Sequence, residues 1–198
     1  MTRAVFLDRD GVINRKPPEG DYVTRWEDFH ILPGAPEGIV QLKKAGFRVI
    51  VVTNQRCVAK GLLSVVELET MHQRMSELLA RDGAALDAIY YCPHEMESHC
   101  ECRKPAPGML LDAARAHGIE LPASWMIGDS DIDIEAGRSA GCRTALLSAT
   151  KEKGGEAGAT GDKARRADIV TATLLDAIAE ILHWEGAASP VTTDRAAR

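Results

Sequence analysis

Short apolar runs alternate along this chain with segments of helical periodicity. Arg3–Leu7, Arg48–Thr53, Ala88–Tyr91, Trp125–Ile127 and Thr144–Leu147 read as strands. Val49-Ile50-Val51-Val52 is an unbroken β-branched run of the kind found where a parallel strand is covered on both faces. The helical segments have legible ends: Pro36–Ala45 stops at Gly46, Pro107–His117 at Gly118 and Asp131–Ala140 at Gly141, so Pro or Asp opens each helix and Gly closes it. Over Ser64–Arg81, Ser64 and Glu67 stand at capping-box spacing, and Leu63 and Leu68 at hydrophobic-staple spacing. A last amphipathic helix, about Ala172–His183, offers Leu174, Leu175, Ile178, Ile181 and Leu182 to the sheet. The β-α-β-α alternation predicts an α/β fold, a Rossmann-like three-layer α/β/α arrangement around a central parallel sheet.

Two segments interrupt the pattern. Asn14–Pro33 holds three prolines and the aromatics Tyr22, Trp26 and Phe29, which points to a packed functional loop; Lys151–Ala167 is rich in Gly, Ala and Lys and reads as mobile. Neither Asp10 nor the third strand is followed by an insertion large enough for a cap domain. The expectation is therefore one domain over residues 1–185, with 186–198 as a flexible tail.

The length, 198 residues, suits a single core, and the formal charge of −5 argues against a grip on nucleic acid, which needs a basic patch. No apolar stretch approaches the roughly 18 residues of a membrane span, and Asp8 arrives before a signal-peptide core could form. A cytoplasmic monomer with no nucleic-acid or membrane partner is expected. Of the five cysteines, Cys92, Cys100 and Cys102 crowd together while Cys57 and Cys142 stand apart, a distribution that fits a metal cluster in a reducing compartment better than a disulfide framework.

In an open parallel sheet, ligands sit beyond the carboxyl ends of the strands, so the residues there carry the functional signal. The first strand ends in Asp8-Arg9-Asp10-Gly11. A dinucleotide site would place bare glycines there. Two carboxylates would repel phosphate, so a cation must intervene, and hard oxygen ligands select Mg²⁺. The second strand end gives Thr53-Asn54-Gln55, a hydroxyl and amide donors where a phosphoryl oxygen could rest. The third leads to the cations Arg103-Lys104, and the fourth gives Gly128-Asp129-Ser130-Asp131-Ile132-Asp133. Solvated caps would explain any one of these ends, but not four complementary ones.

Between the third strand and Arg103, Cys92-x-His94 and Cys100-x-Cys102 offer the three-sulfur, one-nitrogen set of a closed, structural zinc site. His94 is favoured over His99 because it mirrors the Cys100–Cys102 spacing. Fixing this loop would fix the cations that follow it.

The ordered set of four strand ends resembles the haloacid dehalogenase (HAD) superfamily of Mg²⁺-dependent phosphotransferases over about residues 4–147. The resemblance implies Asp8 as the nucleophile that becomes an aspartyl-phosphate and Asp10 as the acid and then base. It also implies Thr53 and Lys104 as phosphoryl-binding groups, and Mg²⁺ on Asp8, the Asp10 backbone carbonyl and Asp129, with Asp133 supporting that shell. These roles ask for a low pKa at Asp8 and a raised one at Asp10. The zinc loop narrows the likeness to the heptose 1,7-bisphosphate 7-phosphatases and the histidinol-phosphate phosphatase domains. Val58-Ala59-Lys60-Gly61 and the segment from Arg103 to Leu110 look like the former; the five residues between His94 and Cys100 look like the latter. What is implied is hydrolysis of a small phosphorylated sugar, the 7-phosphate of a heptose bisphosphate, with histidinol phosphate as the alternative. Asn54, Arg56 and Arg103 are the candidate substrate-binding residues. Arg56-Cys57 departs from the small Ser-Gly pair usual in the heptose enzymes, and Arg9 reads as structural.

Overall fold

The computed structural model describes residues 2–148 and 167–188. Its strands are β1 (Ala4–Leu7), β2 (Arg48–Asn54), β3 (Ala88–Cys92), β4 (Trp125–Gly128), β5 (Arg143–Leu147) and β6 (Ile169–Thr171). They form one sheet in the order β3-β2-β1-β4-β5-β6, with every pairing parallel. The helices are α1 (Ala35–Lys44), α2 (Val65–Arg81), α3 (Gly108–His117), α4 (Asp131–Ala140) and α5 (Leu174–Ala188).

Strand side chains alternate between two apolar layers. Val5, Leu7, Val49, Val51 and Ile127 meet α1, α2 and α5 on one face, whereas Ala4, Phe6, Ile50, Val52 and Met126 meet α3 and α4 on the other. Because the chain builds outward from β1 to β3 and then returns to lay β4 beside β1, the strand order reverses between β1 and β4. The carboxyl ends of these two strands, Asp8 and Asp129, therefore stand side by side at the switch point; the Asp8 N–H donates to the Ile127 carbonyl at 3.0 Å.

The capping signals hold. Ser64 and Glu67 form the reciprocal capping box at the start of α2, and Leu63 and Leu68 are buried beneath it. The loop after β1 is packed, with Val23 and Phe29 buried and Tyr22, Trp26 and Ile31 against the core. Neither it nor the β3–α3 connection carries an additional sheet or long helix.

Three expectations are corrected. β6 was not anticipated: it has three residues, of which only Ile169 is buried, so no pattern marks it, and it is tied on by Asp168, which accepts from the Thr144 N–H at 2.7 Å. The last helix begins at Leu174 rather than Ala172, because the Thr173 hydroxyl oxygen accepts from the Asp176 N–H at 3.2 Å. It also runs to Ala188, past the expected boundary of the tail at 186. The cause is Glu185, whose carboxylate accepts from Trp125 Nε1 at 3.3 Å and pairs with Arg3 and Arg143, while the Trp184 ring sits edge-on to Trp125 at 5.6 Å. The segment read as mobile lies outside the described residues apart from Ala167.

Gly137 shows how closely α4 rides on the sheet. A Cβ there would fall 2.6 Å from Met126 Cβ and 2.9 Å from Thr144 Cγ2. Gly137→Ala gains about 1 kcal/mol of helix propensity but overpacks a filled layer at a cost of about 1–3 kcal/mol. We therefore predict a thermal midpoint lower by a few degrees, measured by calorimetry; an unchanged or raised midpoint would mean the layer is slack.

Candidate active site

After β1 the chain turns sharply. The Ile13 and Asn14 N–H groups both donate to the Arg9 carbonyl, at 2.9 and 3.0 Å. Gly11 sits at φ +92°, and a Cβ there would lie 2.1 Å from Asp129 Oδ2, so both the turn and the neighbouring carboxylate require glycine. Across the switch point, Gly128 allows Asp133 the same approach. The Asp133 carboxylate is fixed by the Ser130 N–H, which donates to Oδ2 at 3.1 Å, at the start of α4.

Lys104 arrives from the β3–α3 connection and is buried. Its Nζ donates to Asp8 Oδ1 at 2.8 Å and to the Val52 carbonyl at 2.7 Å, and lies 2.6 Å from Asp133 Oδ1. One oxygen from each of Asp8, Asp129 and Asp133 falls within 4.8 Å of the others, a set of hard ligands that could hold a divalent cation.

The carboxyl groups of Asp8 and Asp10 lie in contrasting surroundings. Burial pushes Asp8 up to about 7; Lys104 opposes this, while Asp133 and Asp10 add to it. Burial is the largest single influence on Asp10 and acts to raise it, but Arg9, Asn14 and Gln55 together outweigh it and hold this carboxyl below the ordinary aspartate value. Arg9 Nη2 donates to both carboxylate oxygens at 3.0 Å, Asn14 Nδ2 to Oδ1 at 2.9 Å and Gln55 Nε2 to Oδ2 at 3.0 Å. The expected order, Asp8 low and Asp10 raised, is thus reversed by the protein's own groups. Burial accounts for Asp8; for Asp10 the leading lowering influence is Arg9, a buried guanidinium whose Nη1 lies 3.2 Å from His72 Nε2 and which stacks under the Phe29 ring at 5.6 Å. Burial raises Lys104's cost of being charged, yet Asp133 and Asp8 more than compensate and hold it protonated.

The remaining expected residues have defined places. Thr53 Oγ1 is buried and accepts from Gln55 Nε2 at 2.9 Å, so Gln55 joins Thr53 to Asp10. Asn54, expected at the substrate, has its amide on the backbone of Lys104. Arg56 is ion-paired with Glu95, with Nη1 at 3.5 Å from Met96 Sδ, and Arg103 Nη1 donates to the His94 carbonyl at 3.3 Å; both guanidinium groups lie on the cysteine loop. Sequence reasoning missed Lys16, whose Nζ sits 2.7 Å from Asp129 Oδ2. Its signal was available: it is the one lysine in the loop leaving the acidic strand end. It also lines a cleft of about 520 Å³ with Arg15, Tyr22, His30 and Leu62.

Cys92, His94, Cys100 and Cys102 converge, whereas His99 lies outside the group in a left-handed turn. Sγ of Cys92 is 3.6 Å from Sγ of Cys100 and from His94 Nδ1; Cys102 Sγ is 3.2 Å from His94 Nδ1 and 3.4 Å from Cys100 Sγ. These separations approach the edges of a tetrahedron with metal–ligand bonds of about 2.0–2.3 Å, so the four residues could hold a metal ion. The loop is docked on β2 through Gln55, whose N–H donates to the Cys92 carbonyl at 2.7 Å.

A switch-point cluster of carboxylates around a buried lysine, on this sheet order, defines a HAD-like phosphatase. The family described as HAD-hydrolase-like matches residues 101–177. The D-glycero-beta-D-manno-heptose-1,7-bisphosphate 7-phosphatase of Pseudomonas aeruginosa is 40% identical over 152 residues, 76% of this chain and 84% of that protein. The D-glycero-alpha-D-manno-heptose-1,7-bisphosphate 7-phosphatase of Mycobacterium bovis is 38% identical over 159 residues, 80% and 83% of the two chains. Among solved structures, D,D-heptose 1,7-bisphosphate phosphatase from B. bronchiseptica, complexed with magnesium and phosphate, superposes with a TM-score of 0.78 at 31% identity, covering 92% of this chain and 99% of its own. The chain belongs to the heptose-1,7-bisphosphate 7-phosphatase family of HAD-like hydrolases. Among the described residues no helix is long and apolar enough to cross a membrane.

Burial, helped by Arg9, pushes His72 down to about 3, so the folded protein holds it neutral. The unfolded chain binds a proton near pH 6.5 that the folded one refuses until about 3; this contribution is complete above 6.5 and is lost as pH falls through that window. Between pH 6.5 and 5 the native protein should lose about 1.5 kcal/mol of unfolding free energy relative to His72→Gln, measured by denaturant titration. Parallel pH profiles would show that His72 is not the group being held neutral.

Proposed function

We propose that this chain hydrolyses phosphomonoesters through an aspartyl-phosphate on Asp8, with Mg²⁺ held by Asp8, Asp129 and the Asp10 backbone carbonyl and with Asp133 behind them. The observation that carries the reading is the buried Lys104 ammonium shared between Asp8 and Asp133 at the strand switch point. Bound there, Mg²⁺ would offset the charge of the transferring phosphoryl group and lower the proton affinity of Asp8.

The chain's own residues divide the work. Asp8 supplies the attacking oxygen. Lys104 Nζ and Thr53 Oγ1 are placed to meet the equatorial phosphoryl oxygens, where positive charge and donors favour the transition state. Asp10, held apart by Arg9, Asn14 and Gln55, is the group oriented to give a proton to the departing oxygen and then to take one from water. The same three contacts fix the position of its carboxylate for both transfers, while lowering its affinity for the proton it must take up. The zinc set on Cys92, His94, Cys100 and Cys102 is closed, so its role is to hold the loop that ends at Lys104.

The substrate we favour is D-glycero-D-manno-heptose 1,7-bisphosphate, cleaved at the 7-phosphate. Support comes from the relatives named above and from Lys16, which pairs with Asp129 and, with Arg15, lines a cleft that suits a second anionic group on a polar metabolite. The protein should release phosphate from either anomer of this sugar with kcat/KM at least about tenfold above that for histidinol phosphate. Asp8→Asn should abolish turnover while the variant, though less stable, still unfolds in a single cooperative transition. Faster turnover of histidinol phosphate would overturn the substrate; near-native turnover by Asp8→Asn would overturn the mechanism.

A further inference from the structure

Asn54 ends β2, one residue beyond Thr53, where the sequence points to a substrate contact. The structure gives it a different neighbour. Its Oδ1 accepts from the Lys104 N–H at 3.1 Å and its Nδ2 donates to the Lys104 carbonyl at 3.0 Å, so one amide closes both hydrogen-bonding groups of a single residue fifty positions away. The other end of Lys104 is held from the same strand, since Nζ donates to the Val52 carbonyl at 2.7 Å. β2 thus grips this lysine at the backbone and at the tip.

From these contacts we propose that Asn54 is the positioning residue for Lys104. The inference rests on the reading of Lys104 as the cation facing the phosphoryl group. A lysine has four side-chain torsions, and its ammonium finds one position only when its backbone is fixed as well. Asp8, Asp133 and Val52 act on the tip alone. Without Asn54, the backbone of Lys104 would be placed by the loop running from Cys102, and an error there of the order of an ångström would carry through to the ammonium. A neutral amide suits the task because it supplies one donor and one acceptor; a carboxylate at this position would set an oxygen against the Lys104 carbonyl.

The test separates positioning from substrate contact. Asn54→Ala and the nearly isosteric Asn54→Asp should each lower kcat about 10- to 100-fold while KM moves less than about threefold, the signature of a group misplaced in the transition state. Inorganic phosphate, titrated calorimetrically at saturating Mg²⁺, should bind about tenfold more weakly to Asn54→Ala, and this penalty should vanish in a Lys104→Ala background, because coupled residues do not add. An independent contact would instead raise KM at unchanged kcat, or weaken phosphate equally in both backgrounds; either result overturns the proposal, as does native kcat in Asn54→Ala. Should Asn54→Ala fail to fold, Asn54→Asp alone decides the matter by the same split. Failure of the phosphatase reading is distinct: the native protein would then release no phosphate from any ester, whereas the coupling is read from phosphate binding.

Discussion

The site is organised around one buried positive charge. Lys104 Nζ has lost its water and recovers three oxygens, from Asp8, Asp133 and Val52. A buried ammonium is tolerable only when paired and hydrogen-bonded, and removing one partner from such a cluster costs about 3–5 kcal/mol. Each of those oxygens comes from a different element, namely the exit of β1, the first turn of α4 and the end of β2. The switch point between β1 and β4 is what brings them within reach. Gly11 and Gly128, on either side of it, give up their side chains so that Asp129 and Asp133 can close in.

The two aspartates after β1 show how one short turn makes two different groups. Asp8 faces Lys104 and the other carboxylates, where burial favours its neutral form until a cation arrives. Asp10 faces Arg9, Asn14 and Gln55, which favour its charged form. Arg9 stands between them in sequence but points the other way, into the layer under α2, where His72 is held neutral beside it. Lys16 places a second ammonium on Asp129 from the solvent side, so the acidic cluster is flanked by cations both beneath and above.

Much of this was legible in the sequence, for physical reasons that also mark where legibility ends. The buried strands and the capped helices announce themselves because burial on two faces and the termination of a helix each demand particular residue types. The chemistry at the carboxyl ends was legible because acids, a hydroxyl and a lysine rarely gather there without cause, and the cysteine loop because its spacing is local. β6 was not legible, since three residues at a sheet edge with one buried side chain leave no pattern. Nor was the role of Asn54, whose partner is fixed by a loop fifty residues on, nor the proton affinities of Asp8 and Asp10, which depend on the depth of Arg9 and on burial. Arg56 shows the same limit: its charge was evident, but its partner Glu95 belongs to a loop folded back by the cysteine cluster.

The central claim is that the phosphoryl group passes through Asp8. It is tested most directly by quenching the protein in acid during a single turnover of a substrate with a radiolabelled phosphoryl group, then mapping the label by peptide mass spectrometry. The account predicts a transient acyl-phosphate on Asp8 that decays as free phosphate appears and is absent from Asp8→Asn. Label on another residue, or phosphate released at the native rate with no labelled protein at any time, would contradict it.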